Sequence, residues 1–319
     1  MRFEEKIDVI EEDIDHYSHQ LLDVLLKDRT TDKNIIWGTN DYEENGPMYA
    51  ETEEIYPELV IGVHSRLIQP RVSKATEQQS NRTRAKAEVF TPSWICNQQN
   101  NLIDDQWFGR ENVFNYPQDD LWMVNPEKIE FSDEIGHRWQ DYVDACRMEI
   151  ACGEAPYLVS RYDTVTGKSI DLIARIGLLD RKLRVVNENV TDEREWLKWA
   201  FRAIESTYGF EYQGDNLLLA RENILYTFID NLRFVLKREP KMVELRKVAN
   251  IISWNIWQMD ALTYAPPLCD VQEDNEQLSF SSFFEVNEEQ EHHNKASKCK
   301  IRDWRSRVTI EYYSLVGED

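Results

Sequence analysis

Apolar positions recur at helical spacing from the start of the chain. Ile7, Ile10, Ile14, Tyr17, Leu21, Leu22 and Leu25 are separated by charged positions and predict an amphipathic helix over 4–27. Residues 193–207, 214–237 and 244–252 predict three more helices. The second carries Leu217, Leu218, Ile224, Leu225, Phe228, Ile229 and Leu232 on a broad stripe. Short apolar runs at 59–63, 254–258 and 308–313 predict strands, and 38–47, closing on Gly46-Pro47, is turn-rich. Residues 104–144 hold Trp107, Trp122 and Trp139 with Pro117 and Pro126 between them, which predicts an irregular connecting layer. Helices that alternate with short strands predict an α/β fold.

Composition narrows the class. With 319 residues, 41% hydrophobic and 11% aromatic, the chain can fill the core of one large domain or two modest ones. No apolar run approaches the roughly 20 residues of a bilayer span, and the first residues lack the apolar stretch of a signal peptide. No membrane association and a cytoplasmic location are therefore expected. Five cysteines without C-x-x-C spacing argue against a disulfide framework or a zinc cluster, and no metal is expected.

The net charge of −22 opposes unaided binding to a polyanion. One stretch reverses the sign locally: Arg66, Arg71, Lys74, Arg82, Arg84 and Lys86 face a single acid, Glu77, and form the candidate DNA-binding strip. At the other extreme, 270–291 holds eight acids and no base, and is expected to be a loop.

Four segments carry chemistry by their order: Ala87-Glu88-Val89-Phe90-Thr91-Pro92; Glu149-Ile150-Ala151-Cys152-Gly153-Glu154-Ala155-Pro156-Tyr157-Leu158; Gly209-Phe210-Glu211-Tyr212-Gln213-Gly214 with Ala220-Arg221-Glu222-Asn223; and Gln258-Met259-Asp260-Ala261-Leu262. Together they resemble the cofactor half of the S-adenosylmethionine-dependent DNA adenine N6-methyltransferases of restriction-modification systems, of the kind described as restriction endonuclease subunit M. The resemblance covers about 87–262. It implies a Rossmann-like methyltransferase sheet, complete or not, with a helical N-terminal region and helical insertions, among them 161–206. It divides the chain into an N-terminal region at 1–86, a cofactor-binding core at 87–268 and a C-terminal segment at 269–319.

The resemblance also implies roles. Glu149, Cys152, Gly153, Glu154, Ala155 and Tyr157 would form the loop around the methionine part of S-adenosylmethionine, with Thr91 and Pro92 packed against that end. Glu211, followed by Tyr212, would take the ribose hydroxyls. Asp260, followed by Ala261, would accept from the adenine amino group. The sequence departs from the family pattern at Ala155-Pro156, where a second glycine is expected.

The family's catalytic Asn/Asp/Ser-Pro-Pro-aromatic segment, which holds a flipped base, has no full counterpart in the sequence. Ala265-Pro266-Pro267-Leu268 lacks the amide and the ring, and Glu154-Ala155-Pro156-Tyr157 sits in the cofactor loop. No catalytic residue is assigned. The expectation is a subunit that works with DNA and with a second protein chain carrying the missing motif or a restriction subunit. The alternative is a non-catalytic acidic interaction protein, a regulator or a DNA-mimicking antirestriction factor, on the same scaffold.

Overall fold

The structure is a computed structural model that describes residues 11, 14, 19–74, 91–269 and 297–316. In chain order the elements are α1 (His19–Leu26), α2 (Ser93–Phe108), β1 (Asn115–Gln118), β2 (Leu121–Val124), α3 (Trp139–Asp144), β3 (Arg147–Glu149), α4 (Leu178–Asn189) and α5 (Glu193–Glu205). They continue with β4 (Thr207–Glu211), α6 (Gly214–Leu236), α7 (Met242–Asn255), β5 (Ile256–Gln258), β6 (Lys300–Asp303), β7 (Val308–Glu311) and α8 (Tyr313–Val316).

A small parallel sheet organises this mixed α/β architecture. Its order is β3-β4-β5, with Glu149 opposite Gly209 and Glu211 opposite Gln258. Parallel neighbours need long crossovers. Here the α4–α5 pair leads from β3 to β4, and the α6–α7 pair from β4 to β5. The expected helical insertion at 161–206 is thus two helices, α4 and α5. Two antiparallel hairpins, β1-β2 and β6-β7, stand outside the sheet.

Local chemistry sets the helix boundaries. α5 begins where the Asp192 carboxylate accepts from the Glu195 N–H at 3.0 Å. α6 begins at Gly214, where a β-carbon would lie 2.0 Å from the Ile36 carbonyl oxygen. Only glycine lets the helix start so close to that segment. From there α6 is buried along most of its length, which explains its broad apolar stripe.

Residues on both sides of position 86 share one core. Ile14, Leu21, Leu25, Ile35, Trp37 and Ile55 belong to the same cluster as Leu217, Leu225 and Ile252. The guanidinium of Arg221 fastens the two parts: it donates to the carbonyls of Leu25 and Lys27 at the end of α1 and to that of Ile256 at the start of β5. A second cluster, Phe210, Trp257, Met259, Cys299, Ile301 and Tyr312, seats the β6-β7 hairpin against β4 and β5.

Two expectations are corrected. Residues 59–63 are no strand: Leu59 ends one 3-10 turn (Pro57–Leu59), Gly62 and Val63 open another (Gly62–His64), and Val60 and Ile61 bend between them. Pro57 has no N–H to give a ladder, and Gly62 at φ +64° turns the chain out of extended geometry. Residues 104–144 are more regular than expected: α2 runs to Phe108, and β1-β2 and α3 follow. The acidic stretch 270–291 and the basic residues Arg82, Arg84 and Lys86 lie outside the described residues.

Candidate functional site

The carboxyl ends of β3, β4 and β5 bring three of the four sequence segments to one edge. Beyond β3 the backbone enters the left-handed region three times within five residues, at Ala151 (φ +49°), Gly153 (φ +53°) and Ala155 (φ +64°). The position expected to be a second glycine thus keeps a glycine-like conformation with an alanine, whose methyl is fully buried in the main core.

Glu149 holds this loop shut. Its carboxylate, at the end of β3, accepts from the N–H groups of Tyr157 at 3.3 Å and Leu158 at 3.2 Å. Burial raises its pKa well above the carboxylate range, and the Glu211 charge adds to the rise. Cys152 points inward and is 1% exposed. Burial, then the charges of Glu149 and Glu211, push its thiol well up, so it packs rather than reacts.

Glu211 joins two turns. One oxygen accepts from the Gly153 N–H at 2.8 Å and the other from the Gln213 N–H at 3.2 Å. Its pKa is raised by burial and partly restored by these amides. Its neighbour Tyr212 is half-buried, and its hydroxyl pKa is raised by burial and then by Asp260 and Glu51. Asp260 follows β5 in a tight turn, accepting from the Leu262 N–H at 2.8 Å while its own N–H donates to the Ala265 carbonyl at 2.9 Å.

The fourth segment arrives through Thr91 and Pro92, which open α2. The Tyr157 hydroxyl meets the Thr91 and Cys96 side chains; burial is the main cause of its raised pKa. Thr91, Pro92, Gly153, Tyr157, Tyr212 and Asp260 are half-buried, and Ala261 is exposed. These seven keep some exposure, while Glu149, Cys152, Glu154 and Ala155 are buried.

Glu154 belongs to the scaffold. Its carboxylate accepts from the Arg71 backbone N–H at 2.6 Å and the Tyr162 hydroxyl at 2.6 Å. Beside it, the fully buried Asp215 in the first turn of α6 pairs with Lys74 at 3.0 Å and with the Tyr42 hydroxyl at 2.7 Å. The Lys74 side chain is 7% exposed. The start of the basic strip is therefore strapped over the loop, with Lys74 turned inward; Arg66 remains exposed.

Sequence reasoning missed Gln258. Its side-chain amide donates to the carbonyls of Ile36 and Tyr212, both at 2.8 Å, and accepts from the Ile36 N–H at 2.9 Å. The only sequence signal was its place between the β5 apolar run and Asp260. No known protein-family model, curated protein or solved structure matches the chain.

Proposed function

We propose that this edge binds S-adenosylmethionine and that the chain is the cofactor-binding part of a DNA adenine N6-methyltransferase of a restriction-modification system. The observation that carries the reading is the 2.8 Å bond from the Gly153 N–H to the Glu211 carboxylate. Two segments almost sixty residues apart in sequence meet there, at a parallel-sheet edge of the kind where α/β folds take their ligands.

The donor set fits the cofactor. Glu211 and Asp260 offer carboxylates at the ends of adjacent strands, suited to ribose hydroxyls and to an adenine amino group respectively. Thr91, Gly153 and Tyr157 border the place for the methionine end. The Ala155 methyl points into the core, so the missing glycine does not fill the mouth of the loop. The bound cofactor would supply an activated methyl group on a sulfonium.

The residues of this chain would bind and orient. Glu211 must be ionised to accept two hydroxyls, and the amides of Gly153 and Gln213 favour that charge. Among the described residues no side chain is placed to hold a target base. Ala265, Pro266 and Pro267 are buried in the turn tied to Asp260. Methyl transfer in this reading needs a Pro-Pro-aromatic segment that residues 1–319 do not carry.

Hydrogen exchange of the full chain with and without S-adenosylmethionine tests the reading. Joint protection of 150–158, 211–215 and 258–264 is expected. An absence of protection at these segments contradicts it.

A further inference from the structure

At the opposite edge of the sheet, before β3 and β4, lies a groove of about 660 Å³ between α3, α5 and α7. Its lining contains five cations against three carboxylates, a surplus of two in a chain of net charge −22. The carboxylates are already engaged. Asp141 takes a two-pronged pair from Arg138 at 2.8 and 3.0 Å, Asp144 is shared by Arg202 and Arg305, and Glu205 pairs with Arg202 at 3.4 Å.

The other cations face outward. Arg194, Lys198 and Lys247 are exposed. Lys198 pairs with Glu195 at 3.0 Å, but both side chains are at least half exposed, and such a pair is weak and yields readily to another anion. Lys247 sits over the Phe201 ring at 4.1 Å. Along α5, Arg194 and Lys198 are four residues apart, a rise of about 6 Å, while Arg202 one turn further is held by Asp144 and Glu205. That rise is close to two base steps of about 3.4 Å each along a nucleic-acid strand. Trp199, packed edge-on against Trp139 at 4.8 Å, adds an aromatic surface beside these cations.

We infer that this groove is a phosphodiester track, with Arg194, Lys198 and Lys247 contacting the backbone of DNA. Outward-facing cations beside an aromatic ring suit phosphates beside bases. The inference rests on the reading of the chain as part of a DNA methyltransferase. It moves the DNA contact from the strip around Lys74, which is turned inward, to α5 and α7. The track lies at the edge opposite Glu211, so it would hold backbone away from the reacting base.

The test is fluorescence anisotropy of a labelled 20-mer, duplex in one arm and single-stranded in the other, against the full chain over a range of salt. Three phosphate contacts give a slope of log affinity on log salt near −2.7 for duplex and about −2.1 for a single strand. The triple variant Arg194→Glu, Lys198→Glu, Lys247→Glu is expected to lose at least tenfold in affinity, with an unchanged thermal midpoint because all three sites are exposed. Equal affinity of variant and wild type overturns the inference, as does polyglutamate competing equally well per charge. Parallel titration with S-adenosylmethionine separates the two readings. Cofactor binding without DNA binding overturns only the track, whereas DNA binding at these residues without cofactor binding overturns the site at Glu211.

Discussion

The side-chain amide of Gln258 pairs with both backbone groups of Ile36, accepting from its N–H at 2.9 Å and donating to its carbonyl at 2.8 Å. A side chain thus does what a neighbouring strand would do, and it closes the β5 side of the sheet with the N-terminal segment. Gln258→Leu removes these bonds and the one to the Tyr212 carbonyl. The expected loss is about 2–3 kcal/mol, because half-buried backbone groups are left without partners. Urea denaturation of the variant checks it; an unchanged midpoint contradicts the role.

The loop after β3 predicts a contrast between two alanines. Ala151 and Ala155 are both left-handed, which costs an L-residue about 1–2 kcal/mol. Ala151 is exposed, so Ala151→Gly relieves strain at the cost of some unfolded-state entropy and is expected to stabilise by about 0.5–1 kcal/mol. Ala155 is fully buried, so Ala155→Gly also deletes a packed methyl and is expected to gain nothing. Thermal unfolding of both variants measures the difference.

Much of this arrangement was legible because burial followed apolar periodicity. α5, α6, α7 and the strand β5 fall where the pattern put them, whereas β4 was expected only through the resemblance, with Glu211 closing it. α2 was not legible, because its buried face is polar: Asn97, Asn100, Asn101 and Asp104 point inward. There the Arg181 guanidinium bonds Asp104 at 2.5 Å, Asn97 at 2.9 Å and Asn101 at 2.6 Å, and the Tyr142 hydroxyl donates to Asp104 at 2.9 Å. A hydrophobic pattern is silent on such a core. Lys74 was misleading for a related reason. A run of bases suggests a solvated face, but the buried Asp215 lies far off in sequence and shows only in the fold.

Glu222, in the middle of α6, predicts a pH dependence. Neither of its oxygens has a hydrogen-bond partner among the described residues. Burial, then the Glu11 charge, raises its pKa well above 4.5. The folded state therefore holds the proton more tightly than the unfolded one. This group favours folding below about pH 4.5, and that contribution is lost as pH rises through the folded pKa. Glu222→Gln is expected to match wild type near pH 4 and to gain stability over it as pH rises, by about 1.4 kcal/mol per pH unit until the folded pKa is passed. Parallel stability profiles over pH 4–8 contradict this.

Lys182 supports the other end of the sheet. Its buried ammonium donates to the Ala145 carbonyl at 2.6 Å and to the Ser206 carbonyl and hydroxyl at 3.0 and 2.6 Å, joining the residues before β3 and β4. Lys182→Met takes this donor from the Ala145 carbonyl, while the Ser206 carbonyl keeps the Arg147 N–H at 3.0 Å and the Ser206 hydroxyl keeps the Val143 carbonyl at 2.7 Å; it is expected to cost about 1–3 kcal/mol in chemical denaturation. A loss below about 0.5 kcal/mol contradicts the role.

The central claim is that the edge at Glu211 is a cofactor site, and calorimetric titration of the full chain with S-adenosylmethionine tests it most directly. The account predicts one-site binding at pH 8 and an affinity about 10- to 100-fold weaker in Glu211→Ala, the equivalent of losing charge-assisted bonds of about 1.5–3 kcal/mol. No heat from the wild type, or equal affinity in the variant, contradicts it.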